Sequence, residues 1–228
     1  MTADDQKRVV GEAAAAMVRA GMIVGLGTGT TAAWFIRALA ARGLDSVKGV
    51  ATSRASEALA VSLGIEVVDI DAVGTIDLTI DGADEIGPGL SLIKGGGAAL
   101  LREKLVWEAS RHCVAIADAG KRVRRLGAFP LPIEVVAFGH KKTALRLCDA
   151  LSDCDIGVAP QLRIRDGAPV VTDAGNLIYD AACGTILDPA QLADALKSVT
   201  GVVDHGLFLD LADEALIGGL TGVEHLTP

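Results

Sequence analysis

The residues from Asp81 to Lys104 read DGADEIGPGLSLIKGGGAALLREK. Three carboxylates fall within five positions, a lysine stands against three glycines, and an Arg-Glu-Lys follows on a stretch with helical spacing. Carboxylates closing a strand can move protons, hold a divalent cation, or bond the backbone of a turn. Asp84 and Glu85 are adjacent, with no further carboxylate or histidine close by in sequence, which weakens the metal reading. Glycines ahead of a helix let a ligand approach backbone N–H groups, and Lys94 adds a cation at the same mouth. On that helix Leu100, Glu103 and Trp107 fall at i, i+3 and i+7, on one face. A glutamate desolvated in such a stripe is a better base near neutrality than one in water. The alternative is an exposed Glu103 paired with Lys104 or Lys94.

A second feature, GLGTGTTAAWF (25–35), lies between an apolar run and a helical pattern. Its glycines free backbone N–H groups, and Thr28, Thr30 and Thr31 add hydroxyls at a helix N-terminus, a suitable cradle for a phosphate. The alternative is an ordinary strand-to-helix turn with a threonine cap. The dinucleotide fingerprint would need glycine at residue 30, where threonine stands, and the lysine of a Walker A loop is missing. TSRAS (52–56) repeats the theme more weakly, with Ser53 as a helix N-cap. Together these pieces suit a phosphorylated small molecule held by its phosphate while acid–base groups work on its other end. No serine or cysteine is paired with a histidine, and the four histidines stand outside these loops, which favours proton transfer over covalent or metal chemistry.

The elements that must position these groups alternate. Strands are expected at 22–27, 47–52, 65–70, 76–81, 91–93 and 113–118, and helices at 31–43, 53–64 and 98–112. Such alternation implies a largely parallel sheet with helices on both faces, binding its ligand at the carboxyl ends of the strands. After FPLP (129–132) the pattern changes: strand 133–138, helix 140–152, strands in 161–165 and 169–183, helix 188–199 and strand 206–211. This β-α-β-β-α-β order suggests a ferredoxin-like α+β unit inserted into the first domain, with 215–219 returning to the first sheet. The expected domains are 1–128 with 206–228, and 129–205 between them.

A chain of 228 residues, half of them apolar, suits this plan, and the net charge of −8 excludes nucleic-acid and anionic-membrane surfaces. An anionic ligand must therefore be small and held by local groups. Four scattered cysteines without a CxxC read as reduced thiols, and the N-terminus lacks the charge order of a signal peptide. No apolar run approaches a bilayer span, so a soluble, cytoplasmic protein is expected.

GLGTGTTA, TSRAS, DGADE, KGGGAALLREK, IADAGK, FPLPIEV, VTDAGN and GVVDHGLF occur in the order seen in type A ribose-5-phosphate isomerases, and the chain resembles that family over nearly its whole length. Thr30 stands where the family usually has serine, and Ala174 where it has a polar residue. The resemblance implies interconversion of ribose 5-phosphate and ribulose 5-phosphate without metal or organic cofactor. It also implies a Rossmann-like domain carrying a ferredoxin-like insertion, and assembly as a homodimer or homotetramer. It makes Glu103 the base moving a proton between C1 and C2, with Asp81, Asp84 and Lys94 serving ring opening and the enediolate oxygens. Lys7, Thr28, Gly29, Thr30, Thr31 and Lys121 become the phosphate end, while Gly82, Ala83, Gly95, Gly96 and Gly97 line the sugar. A non-catalytic sugar-phosphate sensor is the rival reading, but it would have no need to keep the four charged residues together.

Overall fold

The structure, a computed structural model, describes residues 1–220 and 222–228. In chain order it begins α1 (Ala3–Met17), β1 (Ile23–Leu26), α2 (Thr30–Ala41), β2 (Lys48–Ala51), α3 (Arg54–Ser62), β3 (Glu66–Val67) and β4 (Leu78–Gly82). Then come β5 (Glu85–Ile86), β6 (Leu92–Ile93), α4 (Leu100–Glu108), β7 (Cys113–Asp118), β8 (Leu131–Val135) and α5 (His140–Asp153). The remainder is β9 (Gln161–Leu162), β10 (Ile164–Arg165), β11 (Ala168–Pro169), β12 (Leu177–Ala181), α6 (Pro189–Lys197), β13 (Val202–His205), β14 (Leu207–Phe208), β15 (Glu214–Gly219) and β16 (Gly222–Leu226). These elements form two compact units. The first comprises 1–83, 102–122 and 210–228, and the second 84–101 and 123–209.

The first unit is built on a seven-stranded sheet in the order β16-β15-β7-β4-β1-β2-β3, parallel except for β16. The 215–219 stretch does return to this sheet, beside β7. Side chains alternate along β1. Val24 and Leu26 join a core with Val10 and Ala14 of α1 and with Phe35, Ile36 and Leu39 of α2, whereas Ile23 packs on the cluster that contains Val106 of α4. Helices thus cover both faces, as expected for parallel strands buried on both sides. A Cβ at Gly25 would lie 2.8 Å from Val106 Cγ1 and still closer to the Thr79 hydroxyl, so glycine there lets α4 settle against the sheet.

The second unit holds an antiparallel sheet in the order β13-β8-β12-β9, with α5 between β8 and β9 and α6 between β12 and β13. That is the ferredoxin-like β-α-β-β-α-β path. Its core joins Leu131, Ile133 and Val135 of β8 to Leu147 and Leu151 of α5 and to Leu192 and Leu196 of α6. A small antiparallel sheet, β14-β6-β5, belongs to the same unit.

Several boundaries differ from the sequence expectation, each for a local reason. The 65–70 strand shrinks to Glu66–Val67 because β3 is a sheet edge paired only with β2, and Asp69 caps a 3-10 turn over Ile70–Ala72. The 133–138 strand starts two residues earlier and runs through Pro132, whose carbonyl accepts from Gly206 N at 2.7 Å, so its missing N–H costs this pairing nothing. The 161–165 strand breaks at Arg163, because Asp166 and Gly167 take positive φ and fold β10 back on β11. The last ferredoxin-like strand is Val202–His205, and Leu207–Phe208 joins β6 instead. The 98–112 helix begins at Leu100, after Ala98 at φ +61°, and ends at Glu108.

Candidate active site

In the first unit the strand ends carry the threonine loop and Asp81. β1 leads through Gly27, Thr28 and Gly29 into α2. Asp81, fully buried near the end of β4, accepts at one oxygen from Thr28 N (2.9 Å) and Gly82 N (2.7 Å). A Cβ at Gly27 would fall 2.2 Å from that same oxygen, so the glycine makes room for the carboxylate. The turn therefore does two jobs: its Thr28 amide holds Asp81, and Gly29 (φ +101°) opens α2 without a side-chain cap. The first-turn amides of α2 are then available to an anion. The Lys7 ammonium donates to Thr30 Oγ1 at 3.1 Å, bringing a cation from α1 to this helix end. Gln6 Oε1 accepts from Ala119 N at 3.1 Å, tying α1 to the 3-10 turn Ala119–Lys121 that follows β7. Lys7, Thr30, Thr31 and Lys121 thus all issue from α1 or from the carboxyl-terminal edge of the parallel sheet.

Thr28 behaves differently from Thr30. Its hydroxyl lies 2.7 Å from Thr52 Oγ1 and donates to Ser53 Oγ at 2.8 Å, while Ser56 Oγ donates to the Gly27 carbonyl at 2.6 Å. TSRAS supplies the expected N-cap, with Ser53 accepting from Ser56 N. Its hydroxyls also hold the Gly27–Thr28 turn from behind, a function that the capping pattern alone does not reveal.

Glu103 sits on α4 and is 3 % exposed, with Leu100 and Trp107 buried on either side of it along the helix. Burial on that face, and not exposure beside Lys104, is what the structure shows. Arg102, next to it, donates to the Ala51 carbonyl at 3.2 Å and so fixes the rotation of the helix against the end of β2.

In the second unit Asp84 and Lys94 flank the β5–β6 pair. Glu85 lies opposite Ile93, Asp84 N donates to the Ile93 carbonyl at 2.8 Å, and Lys94 N donates to the Gly206 carbonyl at 2.9 Å. Ten residues apart in sequence, Asp84 and Lys94 are brought to one end of a strand pair. Lys94 is 2 % exposed and its Nζ stands 5.4 Å from the centroid of the Phe208 ring. That contact suits a desolvated ammonium. Gly95 takes φ +105°, and Gly96 N donates to Asp84 Oδ2 at 2.7 Å. A Cβ at Gly96 would meet Asp84 Oδ1 at 2.6 Å, so the close approach that these glycines permit is made first by the protein's own carboxylate. Glu85 plays no part in this: it is buried, and its two oxygens accept from Gly127 N (2.7 Å) and Phe129 N (2.6 Å).

The family described as Ribose 5-phosphate isomerase A (phosphoriboisomerase A) matches residues 48–222. The chain is 68 % identical to Ribose-5-phosphate isomerase A of Caulobacter vibrioides over 228 residues, all of both chains. It is 47 % identical to the Chloroflexus aurantiacus protein of the same name, over 98 % of this chain and 94 % of that one. The chain belongs to the ribose 5-phosphate isomerase A family. Among solved structures, a D-ribose-5-phosphate isomerase in complex with phospho-erythronic acid superposes with a TM-score of 0.93 at 35 % identity, covering all of both chains. Ribose 5 phosphate isomerase A from Neisseria gonorrhoeae gives 0.91 at 37 % identity, covering 100 % of this chain and 98 % of that one. In this member of the ribose 5-phosphate isomerase A family, DGADE and KGGGAALLREK lie inside the matched span. The threonine loop precedes that span and is covered by the full-length relatives.

The sequence by itself suggests no role for Arg163, Asp180 or Phe208, and for the TSRAS hydroxyls none toward the 27–28 turn. Phe208 falls within the GVVDHGLF motif, which marks the family without displaying any chemistry. Arg163 lies in the break between β9 and β10 and gives no local signal in the sequence.

Proposed function

We propose that this protein interconverts D-ribose 5-phosphate and D-ribulose 5-phosphate by proton transfer between C1 and C2 through an enediolate. The observation that carries the reading is Glu103, a carboxylate only 3 % exposed on α4 between the buried Leu100 and Trp107. The names of its relatives agree with that chemistry. The substrate phosphate is met by the α2 N-terminus with Thr30, Thr31, Lys7 and Lys121. Asp81 and Asp84 exchange protons with the sugar hydroxyls during ring opening. Glu103 takes the C2 proton of the open-chain aldose and returns it to C1 while a proton passes from O2 to O1, giving the ketose with no net gain or loss of protons. Negative charge on the enediolate oxygens is met by Lys94, whose ammonium is already in place and needs no reorganisation as charge develops. Gly82, Ala83 and Gly95 to Gly97 line the sugar. A bound phosphorylated sugar acid in a similar fold supports this substrate class, since a planar carboxylate imitates a planar enediolate.

The protein is further proposed to act in the cytoplasm, without metal or cofactor, as a homodimer or homotetramer. The exposed Val136, Phe138 and Leu145, all within ten residues of sequence, support assembly. Formation of ribulose 5-phosphate from ribose 5-phosphate in excess EDTA tests the reaction, and full turnover is expected. Activity that needs added metal would overturn the cofactor-free mechanism, and absence of turnover under all conditions would overturn the reaction itself.

A further inference from the structure

We infer that Arg163 is a positioning residue that sets the orientation of Asp84 through the Gly95–Gly96 peptide. The inference rests on the reading of Asp84 as part of the isomerase site. Arg163 projects from the break between β9 and β10, with its side chain only 12 % exposed. Nε donates to Asp180 Oδ2 at 2.8 Å and Nη2 to Asp180 Oδ1, a two-pronged fork on the β12 carboxylate. The remaining donor, Nη1, reaches the carbonyls of Gly95 (2.8 Å) and Gly96 (3.2 Å). Arg163 is itself anchored by its backbone, donating to Ile178 O at 2.8 Å and accepting from Val170 N at 2.9 Å.

The carbonyl of Gly95 and the N–H of Gly96 are two ends of one planar peptide and point in opposite directions. One end is held by Arg163, and the other donates to Asp84 Oδ2 at 2.7 Å. A flipped peptide would turn its oxygen on the Asp84 carboxylate and its N–H on the guanidinium, unfavourable at both ends. Glycines lose the most backbone freedom on ordering, and a run of three is where a peptide flips most readily. Close approach to a carboxylate demands glycine at 96, and glycine in turn demands an external clamp. The chain Asp180–Arg163–peptide–Asp84 supplies it, with each hydrogen bond polarising the next. Lysine could not substitute, because a point charge cannot hold the Asp180 fork and two carbonyls together.

The test compares Arg163→Lys, Arg163→Ala and Asp180→Asn with an Asp84→Asn control, each first checked for folding by circular dichroism. The expected result for Arg163→Lys is a fall in kcat of about 10- to 100-fold, as for displacement of a reacting group. KM should change little, since the phosphate groups belong to other elements. Arg163→Ala should lose more, and millimolar guanidinium ion, but not methylammonium, should restore part of it. Amide hydrogen exchange at Gly96 should quicken in all three variants, a readout available even where activity is lost. Wild-type kcat and unchanged Gly96 exchange in the Arg163 variants, with Asp84→Asn inactive, would overturn the inference and leave the site reading standing. A fully active Asp84→Asn would overturn that reading and the inference together.

Discussion

At the scale of single residues, the site depends on which side chains lose water and which are denied a Cβ. Glu103 is buried on its helix while neighbouring Leu105 is half exposed, so the proposed base is selected by helix face. Glu103→Gln should keep the fold and ligand binding and lower kcat by about 10²- to 10⁴-fold, the usual worth of a positioned base. Near wild-type turnover of ribose 5-phosphate by this variant would remove Glu103 from the role. Gly27 shows the steric side. An alanine methyl there must displace the Asp81 carboxylate from its two amide donors, because the added carbon would overlap the oxygen. Gly27→Ala should cost about 1–3 kcal/mol by denaturant titration, as overpacking does, and depress kcat along with stability. A variant as stable and active as the parent would show that Asp81 has room to move.

At the scale of elements, β8 carries a buried carboxylate that the proposed chemistry does not use. Glu134 is 1 % exposed, accepting from Thr172 Oγ1 and Asn176 Nδ2, each at 2.9 Å. Burial holds its carboxyl above the ordinary range, and the hydrogen bonds from Asn176 and Thr172 only partly oppose this. Just above the ordinary carboxylate pKa the folded protein keeps a proton that the unfolded chain has released, so this group makes stability fall as pH rises. Glu134→Gln removes that slope. The Tm of the variant relative to wild type should therefore rise as pH is raised from about 4 toward neutrality, whatever the offset between them. A difference that stays flat or declines would mean that the carboxyl is not held in its protonated form.

For the whole molecule, a net charge of −8 accompanies a ligand expected to be anionic, so recognition must be local. The arrangement at the α2 N-terminus is local in this sense, with Lys7 as a neighbouring cation. No helix among the described residues is long and apolar enough to cross a membrane. The four cysteines are free thiols, and burial pushes the Cys183 thiol up to about 11. A thiol so raised is almost wholly protonated and poorly nucleophilic at pH 8. Ellman's reagent at that pH should fail to titrate Cys183 or the buried Cys113 in the native protein and should titrate all four thiols after unfolding. Dithiothreitol should leave Tm unchanged, and a reductant-dependent Tm would reveal a disulfide absent from this structure.

The sequence by itself determined the class of fold, because strands buried on both faces read as apolar runs and the helices between them as period-3.6 stripes. It also marked the charged strand-end residues, since carboxylates and glycines at such positions have few structural uses. Glu103 could be placed between Leu100 and Trp107 from spacing alone, because the helix period is fixed. Relations across strands could not be read. Asp84 and Lys94 become neighbours only through the β5–β6 register, and Phe208 reaches Lys94 from a segment more than a hundred residues away. Arg163 carries no local pattern at all. Its grip on the Gly95–Gly96 peptide exists only once β9 has docked beside β12, because a side chain's partners across a sheet are set by long-range pairing and not by sequence period.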